Sequence, residues 1–142
     1  MTGKDRFMFR AWLENEKQIV KVIAVKILAG HMRITYFNTK SKQCEDCEYG
    51  FELMQCTGLA DKNGKLVYEG DIIKGTAVFS EGAFEYCGSV TWYSESHLIG
   101  WYIVDYDGGG WELKQAQAKI SLDNITGEIV GNIYENRELL KI

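Results

Sequence analysis

Apolar and polar residues alternate along most of this chain in short runs, and turn-forming residues separate the runs. Alternation with a period of two is typical of a β-strand that buries one face. The run Gln18–Leu28 also carries lysines at spacings that would suit one helical face, but its β-branched residues favour a strand. The pattern predicts strands over residues 6–13, 18–28, 32–37, 52–59, 71–79, 86–93, 98–106 and 128–134.

Glycine and asparagine mark the turns between these strands, since the chain has 15 glycines and no proline. Asp61–Gly64 contains Asn-Gly and predicts a type I′ hairpin turn, which requires positive φ at both central residues. Gly70 predicts a tight corner between residues 65–69 and the strand at 71–79. Further turns are expected at 29–31, 94–97 and 107–110, and short helical turns at 122–125 and 135–140.

The order of strands and turns predicts a single all-β domain over residues 1–142, built as an antiparallel meander. Residues 38–50 are polar and predict a loop. Its part 44–50 separates the basic N-terminal strands, residues 1–43, from the main β core, residues 51–142. The Gly70 corner, followed by a glycine-containing strand, resembles the opening of an SH3-like barrel, which we expect within residues 52–106.

Composition excludes several classes of protein. The chain has 142 residues, of which 46% are hydrophobic, which suits a packed core and argues against disorder. No apolar run approaches the roughly 18 residues of a membrane span, so no membrane partner is expected. The first residues show no apolar signal segment, and we expect a cytoplasmic protein.

Charge is divided unevenly along the chain. Residues 1–43 hold nine Lys or Arg and three Asp or Glu, a net of +6, whereas residues 44–142 have a net of −10. The two parts can neutralise each other within the fold or between copies, which favours a homo-oligomer. The alternative is nucleic-acid binding, which requires one exposed face to hold Arg6, Arg10, Lys21, Lys26 and Arg33, and which the overall acidity opposes.

The four cysteines suggest a metal site only weakly. Cys44 and Cys47 form a CxxC pair, which is half of a zinc site, but Cys56 and Cys87 are single and lie in strand patterns. Buried free cysteine behaves as a small apolar residue. We therefore expect reduced cysteines, no metal and no cofactor.

The residues that could carry catalysis do not form a known motif. The two histidines, His31 and His97, fall in separate predicted turns, and neither has a serine or cysteine nucleophile beside it. Glu69 and Asp71 flank Gly70 and are candidates for acid–base chemistry or cation binding, but Asp71 is more simply explained by hydrogen bonds to the corner backbone. The sequence therefore predicts that the protein is not an enzyme.

Aromatic residues concentrate in one predicted hairpin. On an exposed face these side chains would stack on bases or saccharides. Alternate members of a strand point inward, so about half are expected in the core. The residues are Trp92, Tyr93, Trp101, Tyr102 and Tyr106.

Three blocks of sequence resemble the YopX family, whose members occur largely in phages and prophages. They are Phe9-Arg10-Ala11-Trp12, then Leu53–Lys74, and then Ile129–Leu140. Two positions depart from the family pattern: Leu13, where an acidic residue often follows the tryptophan, and Arg137, where proline is frequent.

The resemblance implies a β-rich fold and a mobile-element origin, and it implies no established activity or catalytic residue. The blocks mark twelve structural positions, of which seven are interpreted as turn-forming and corner-locking residues: Thr57, Gly58, Asp61, Gly64, Tyr68, Gly70 and Asp71. The other five are Arg10, Trp12, Asn63, Gly131 and Tyr134. Together with the composition, the resemblance predicts a noncatalytic binding or regulatory module that is oligomeric and binds an unidentified phage or host protein.

Overall fold

The protein is described from a computed structural model that covers residues 5, 7–80, 82–95, 98–106, 116–121 and 127–140. These residues form eleven strands and a closing 3₁₀ helix, η1, at Arg137–Leu140. The strands are β1 (Phe9–Leu13), β2 (Gln18–Leu28), β3 (His31–Asn38), β4 (Gln43–Cys47), β5 (Phe51–Ala60), β6 (Leu66–Tyr68), β7 (Asp71–Phe79), β8 (Gly82–Glu95), β9 (Leu98–Tyr106), β10 (Ala116–Ser121) and β11 (Glu128–Asn132). The all-β prediction is confirmed.

The strands form two antiparallel sheets. The first has the order β4-β3-β2-β1-β5-β6 and the second the order β10-β9-β8-β7-β11. Most strands pair with their neighbour along the chain, as in a meander. Two pairings join distant segments, because β1 pairs with β5 and β11 returns to pair with β7.

Each sheet has its own hydrophobic core. The first core contains Ala11 and Leu13 of β1, packed with Val20, Ile34 and Tyr36. Ala11 lies opposite Val20 on one side and Leu53 on the other, so the three side chains share a face. The second core gathers Val67, Ile73, Tyr86, Val90 and Ile103. Val67 belongs to β6 of the first sheet, so the second core also holds the two sheets together.

The opposite face of β1 turns towards the second sheet at the Gly70 corner. Gly70 has φ +86°, and its carbonyl accepts a hydrogen bond from the Ile133 N–H at 2.9 Å. A Cβ at Gly70 would lie 3.5 Å from both Ile133 and Met54, so β5 and the residue that follows β11 both approach the corner closely. Positive φ is readily adopted by glycine alone, which explains the residue at this corner.

The prediction of a loop over residues 38–50 is wrong in part, because the strand β4 occupies Gln43–Cys47. This strand lies at the edge of its sheet and has no buried residue. Polar residues are therefore tolerated on both faces, and the apolar alternation that marks other strands is missing. The strand β10, Ala116–Ser121, was also not predicted, because it contains a single β-branched residue.

The hairpin at Asp61–Gly64 forms, but its turn type was predicted wrongly. Gly64 has φ +83°, whereas Asn63 is not among the residues with positive φ. The Gly64 N–H donates to the Asp61 carbonyl at 2.9 Å, and the Asp61 N–H donates to the Lys65 carbonyl at 2.8 Å. One left-handed glycine after the turn is typical of a three-residue hairpin loop rather than of type I′.

The closing helical turn predicted near the C-terminus is present as η1. The SH3-like barrel stays a prediction, and the strands between residues 52 and 106 are divided between the two sheets. The predicted turn at 107–110 and helical turn at 122–125 lie outside the described residues, as does part of the turn at 94–97. The described residues include no helix with the length and apolar character needed to cross a membrane.

Candidate functional site

Three segments that are distant in sequence meet where β1, the Gly70 corner and the end of β11 come together. The Arg10 guanidinium donates to Asp71 Oδ1, and the Tyr68 N–H donates to Asp71 Oδ2 at 2.8 Å. The guanidinium carbon of Arg10 lies 4.8 Å from the centroid of the Tyr68 ring, in a cation–π arrangement. This group ties the first sheet to the start of β7.

Asp71 is almost completely buried, with 1% of its surface exposed. Burial raises the pKa of Asp71 above its ordinary value, while Arg10 and the Tyr68 N–H act in the opposite direction. Burial also raises the pKa of the Tyr68 hydroxyl. A buried carboxylate paired in this way anchors the corner, as the sequence predicted for Asp71, although Arg10 was not expected as its partner.

Trp12 and Tyr134 form a second link across the same junction. Their rings are stacked, with centroids 5.5 Å apart and an interplanar angle of 14°. Trp12 lies two residues after Arg10, so both side chains project from the same face of β1. Burial and the nearby carboxylate of Glu52 raise the pKa of the Tyr134 hydroxyl. The contact holds the segment after β11 against the first sheet.

Asp61 fastens the β5–β6 turn to the start of β11. Its Oδ1 accepts the N–H groups of Asn63 and Lys65, and its Oδ2 accepts the N–H of Ile129 at 3.0 Å. The Asn63 side chain adds a hydrogen bond from Nδ2 to Glu128. Burial opposes ionisation of Asp61, but the three backbone donors outweigh it and hold the pKa of this carboxyl below its ordinary value.

Thr57 and Gly58 shape the irregular part of β5. The Thr57 hydroxyl donates to the Val67 carbonyl at 2.9 Å and accepts the Leu59 N–H at 3.1 Å. Gly58, with φ +82°, falls where the register between β5 and β6 shifts. Such a bulge bends the strand, which allows Leu59 and Val67 to contribute to the second core.

The segment after β11 is closed by asparagine side chains. Asn132 Oδ1 accepts the N–H groups of Tyr134 and Glu135, and Asn136 Oδ1 accepts the Asn132 N–H. Gly131 permits this arrangement, because a Cβ there would come within 2.5 Å of Asn136 Oδ1. Gly131, Asn132 and Asn136 therefore fix the backbone of the segment that follows β11.

A polar cleft of about 290 Å³ opens beside the junction. Its lining includes Arg10, Asp71, Lys65, Asn132 and Glu135. The Asp71 carboxylate and the Asn132 amide are already bonded within the protein. Among the described residues that line the cleft there is neither a nucleophile with an adjacent base nor a group of three carboxylates.

Of the residues nominated for catalysis, Glu69 and Asp71 each have a partner in the described structure. Glu69 Oε1 accepts the Gln55 N–H at 3.4 Å, and Asp71 is held by Arg10. His31 begins β3, stacks on Tyr49 and has Nε2 3.8 Å from Glu48. The other histidine, His97, lies outside the described residues, so the prediction that the protein is not an enzyme stays a prediction.

The cysteines occupy three different environments. Cys44 and Cys47 lie on β4, where residues three apart point to opposite faces. Cys56 is fully buried, and Cys87 is partly buried with its Sγ 3.6 Å from the Leu139 carbonyl. Within the described chain no three His, Cys, Asp or Glu side chains are grouped as a metal site would require. Burial raises the pKa of the Cys47 and Cys56 thiols.

The basic residues proposed for nucleic acid do not all share one exposed face. Arg10 is engaged by Asp71, and Arg33 Nε lies 3.7 Å from Glu48. Lys21 and Lys26 are exposed, while Arg6 lies outside the described residues. Among the aromatics, Trp92 is half exposed and meets Trp101 edge to face, and Trp101 packs against the second core.

Comparison with known proteins shows the family of this chain and a solved structure that shares its fold. The family model described as "YopX protein" matches residues 8–141, a range that includes β1, the Gly70 corner and the segment after β11. The chain belongs to the YopX family. No curated protein matches it significantly. Among solved structures, the YopX chain is similar to protein EF1440 from Enterococcus faecalis, with 23% identity and a TM-score of 0.51. The likeness covers 94% of this chain and 96% of that chain, and it shows a shared fold.

Proposed function

We propose that this YopX protein is a noncatalytic binding or regulatory module of phage or prophage origin that acts in the host cytoplasm. The observation that carries the proposal is the contrast between the junction and the first sheet. Asp61 and Asp71 are buried and bonded within the fold. Large apolar side chains are instead exposed on β2 and β3, where they offer a surface for another macromolecule.

Two exposed apolar residues, one on β2 and one on β3, lie on the same face as the first core but are open to solvent. Ile27 of β2 lies opposite Met32 of β3, and the two are 80% and 40% exposed. One step along the hairpin, Val25 lies opposite the fully buried Ile34. The core face therefore continues into solvent at the end of the hairpin. Covering it would remove apolar area from water, which favours association.

Self-association is part of the proposal. The charge difference between residues 1–43 and 44–142 allows the basic part of one copy to meet the acidic part of another. Charge pairs at a rim contribute little each, so the exposed apolar face would supply most of the interface. Sedimentation at moderate salt is expected to show a species heavier than the 16.2 kDa chain. A monomer over the whole concentration range would contradict self-association.

Affinity capture from infected host cells, followed by mass spectrometry, tests the binding role. A double variant, Ile27→Ser with Met32→Ser, is expected to lose the captured phage or host protein. Ile99→Ser is the matched control, because Ile99 is also 70% exposed but lies on the second sheet. Equal capture by all three proteins would contradict a role for the apolar face.

Nucleic-acid association is the second candidate, supported by Lys21, Lys26 and the half-exposed Trp92. Arg10 does not contribute to it, because its charge is paired with Asp71. Fluorescence anisotropy with a labelled single-stranded oligonucleotide tests this candidate. Binding that weakens steeply with salt and disappears in a Lys21→Glu, Lys26→Glu variant would support it.

A further inference from the structure

More than half of β2 has one edge without a strand partner in the described part of the chain. On one side β1 pairs only with Gln18–Lys21, and on the other β3 pairs with Val22–Leu28. Since β2 lies between β1 and β3 in the sheet, the β1 side of residues 22–28 has no strand partner among the described residues. An uncovered edge presents N–H and C=O groups that can pair with another extended chain.

A cleft of about 260 Å³ lies beside this edge. It is lined by Phe7, Met8 and Phe9 on one side and by Lys21–Val25 on the other. Only Lys21 among these residues carries a charge, so no carboxylate contributes to the lining. The floor of the cleft is therefore mainly apolar, and its charge is positive.

The two faces of the open edge differ in chemistry. Val25 and Ile27 share a face, since they lie opposite Ile34 and Met32 of β3. Lys26 lies opposite Arg33 on the other face. Lys21 and Lys26 are exposed, and in the described structure neither has an ion-pair partner. A strand added here would meet apolar side chains on one face and lysine ammonium groups on the other.

We propose that this edge is a docking site for an extended acidic segment of another protein, which adds to β2 as a further strand. This inference rests on the proposed binding role, and it specifies that the partner is an extended acidic segment. Main-chain hydrogen bonds supply affinity in such strand addition, and pockets for alternate side chains supply specificity. The partner segment alternates apolar residues, facing Val25 and Ile27, with acidic residues that face the lysines.

Charge complementarity favours an acidic partner over a second β2 edge. Two β2 edges would bring the unpaired Lys21 and Lys26 of both copies together, and like charges across strands are destabilising. The edge is also short, because it spans only residues 22–28. A stable protein–protein interface buries on the order of 1,200 Å² or more, whereas a seven-residue edge suits a peptide segment.

Fluorescence anisotropy with a labelled eight-residue peptide of alternating Glu and Val tests the proposal. We expect saturable binding to the full chain, and no binding of the matched peptide of alternating Lys and Val. Lys26→Glu is expected to weaken binding at least tenfold. Lys40→Glu makes the same charge change at an exposed site in the β3–β4 turn and is expected to leave binding unchanged. In NMR spectra, the largest amide shifts are expected within residues 22–28.

Three results would overturn the proposal. The first is no saturable binding of the Glu–Val peptide by correctly folded protein, and the second is equal weakening by Lys26→Glu and Lys40→Glu. The third is a wild-type dimer that Lys26→Glu dissociates and that the peptide does not displace, which would assign the edge to a second copy. Capture that survives Lys26→Glu but is lost in the Ile27→Ser, Met32→Ser variant would retain the proposed function and reject this edge.

Discussion

Arg10 and Asp71 lie 61 positions apart in the chain and form a largely buried ion pair that joins the first sheet to the second. Their side chains are 17% and 2% exposed. Removing one partner leaves a buried charge without compensation, which typically costs about 3–5 kcal/mol. The pair therefore fixes the position of β1 relative to β7 at the junction.

Arg10→Ala is expected to lower the free energy of unfolding by about 3–5 kcal/mol, measured by urea denaturation. Arg33→Ala is the matched control and should cost about 0–1 kcal/mol, because Arg33 and Glu48 are more exposed and lie 3.7 Å apart. Replacing both partners, Arg10→Met with Asp71→Leu, should recover part of the loss, since no charge is then buried. Equal effects of Arg10→Ala and Arg33→Ala would reject the structural role.

Asp61→Asn is expected to destabilise the protein at pH 7 by about 1–3 kcal/mol, because Asn cannot accept all three N–H groups of Asn63, Lys65 and Ile129. The substitution keeps the size of the side chain, so packing changes little. Denaturation midpoints at several pH values between 3 and 7 measure the effect.

The pH dependence of the Asp61 contribution follows from the lowered pKa of its carboxyl. In the unfolded chain Asp61 takes up a proton near its ordinary pKa of 3.8, whereas in the folded protein it does so only at lower pH. Just below pH 3.8 the unfolded state therefore binds more protons than the folded state. The free energy of unfolding decreases as the pH is lowered through this range. The stability difference between wild type and Asp61→Asn should shrink as the pH drops below about 4. A difference that grows there would contradict the assignment.

Tyr134→Leu is expected to cost about 0.5–1.5 kcal/mol through loss of the aromatic stack with Trp12, beyond any change in buried area. Tyr49→Leu provides the control. Tyr49 also stacks, on His31 with centroids 6.0 Å apart, but it is 75% exposed. Thermal or urea denaturation should show little effect of the control. If both variants lose the same stability, the Trp12 contact does not hold the junction.

The four cysteines are expected to react with a thiol reagent at different rates. Cys44 is exposed and should react first, while Cys56 is fully buried and has a thiol whose pKa is raised by burial, so it should react only on unfolding. Cys44→Ser should remove the fast phase, and Cys56→Ser should leave it intact. Metal analysis of protein purified without chelator should find no zinc. One zinc per chain, or equal rates at all cysteines, would refute the prediction.

Local pattern alone determined much of the strand content. The strands Asp71–Phe79 and Leu98–Tyr106 were predicted with the bounds the structure shows, because alternation and β-branched or aromatic residues act within a few positions. Gly70 and Gly64 marked corners for the same reason, since positive φ is a property of a single residue. Where β4 lies at a sheet edge with both faces partly in water, the local pattern carried no signal.

Tertiary structure decided which distant segments meet. The pairing of β1 with β5 depends on which edges stay free after the hairpins close, and a period of two is the same whichever strand becomes the partner. Nothing in the sequence indicated that Arg10 pairs with Asp71, because only the fold brings the two side chains together in a buried site. The open edge of β2 follows from β1 being shorter than β2. The sequence predicted the strand β2, but only the pairing of its neighbours leaves residues 22–28 without a partner on one side among the described residues.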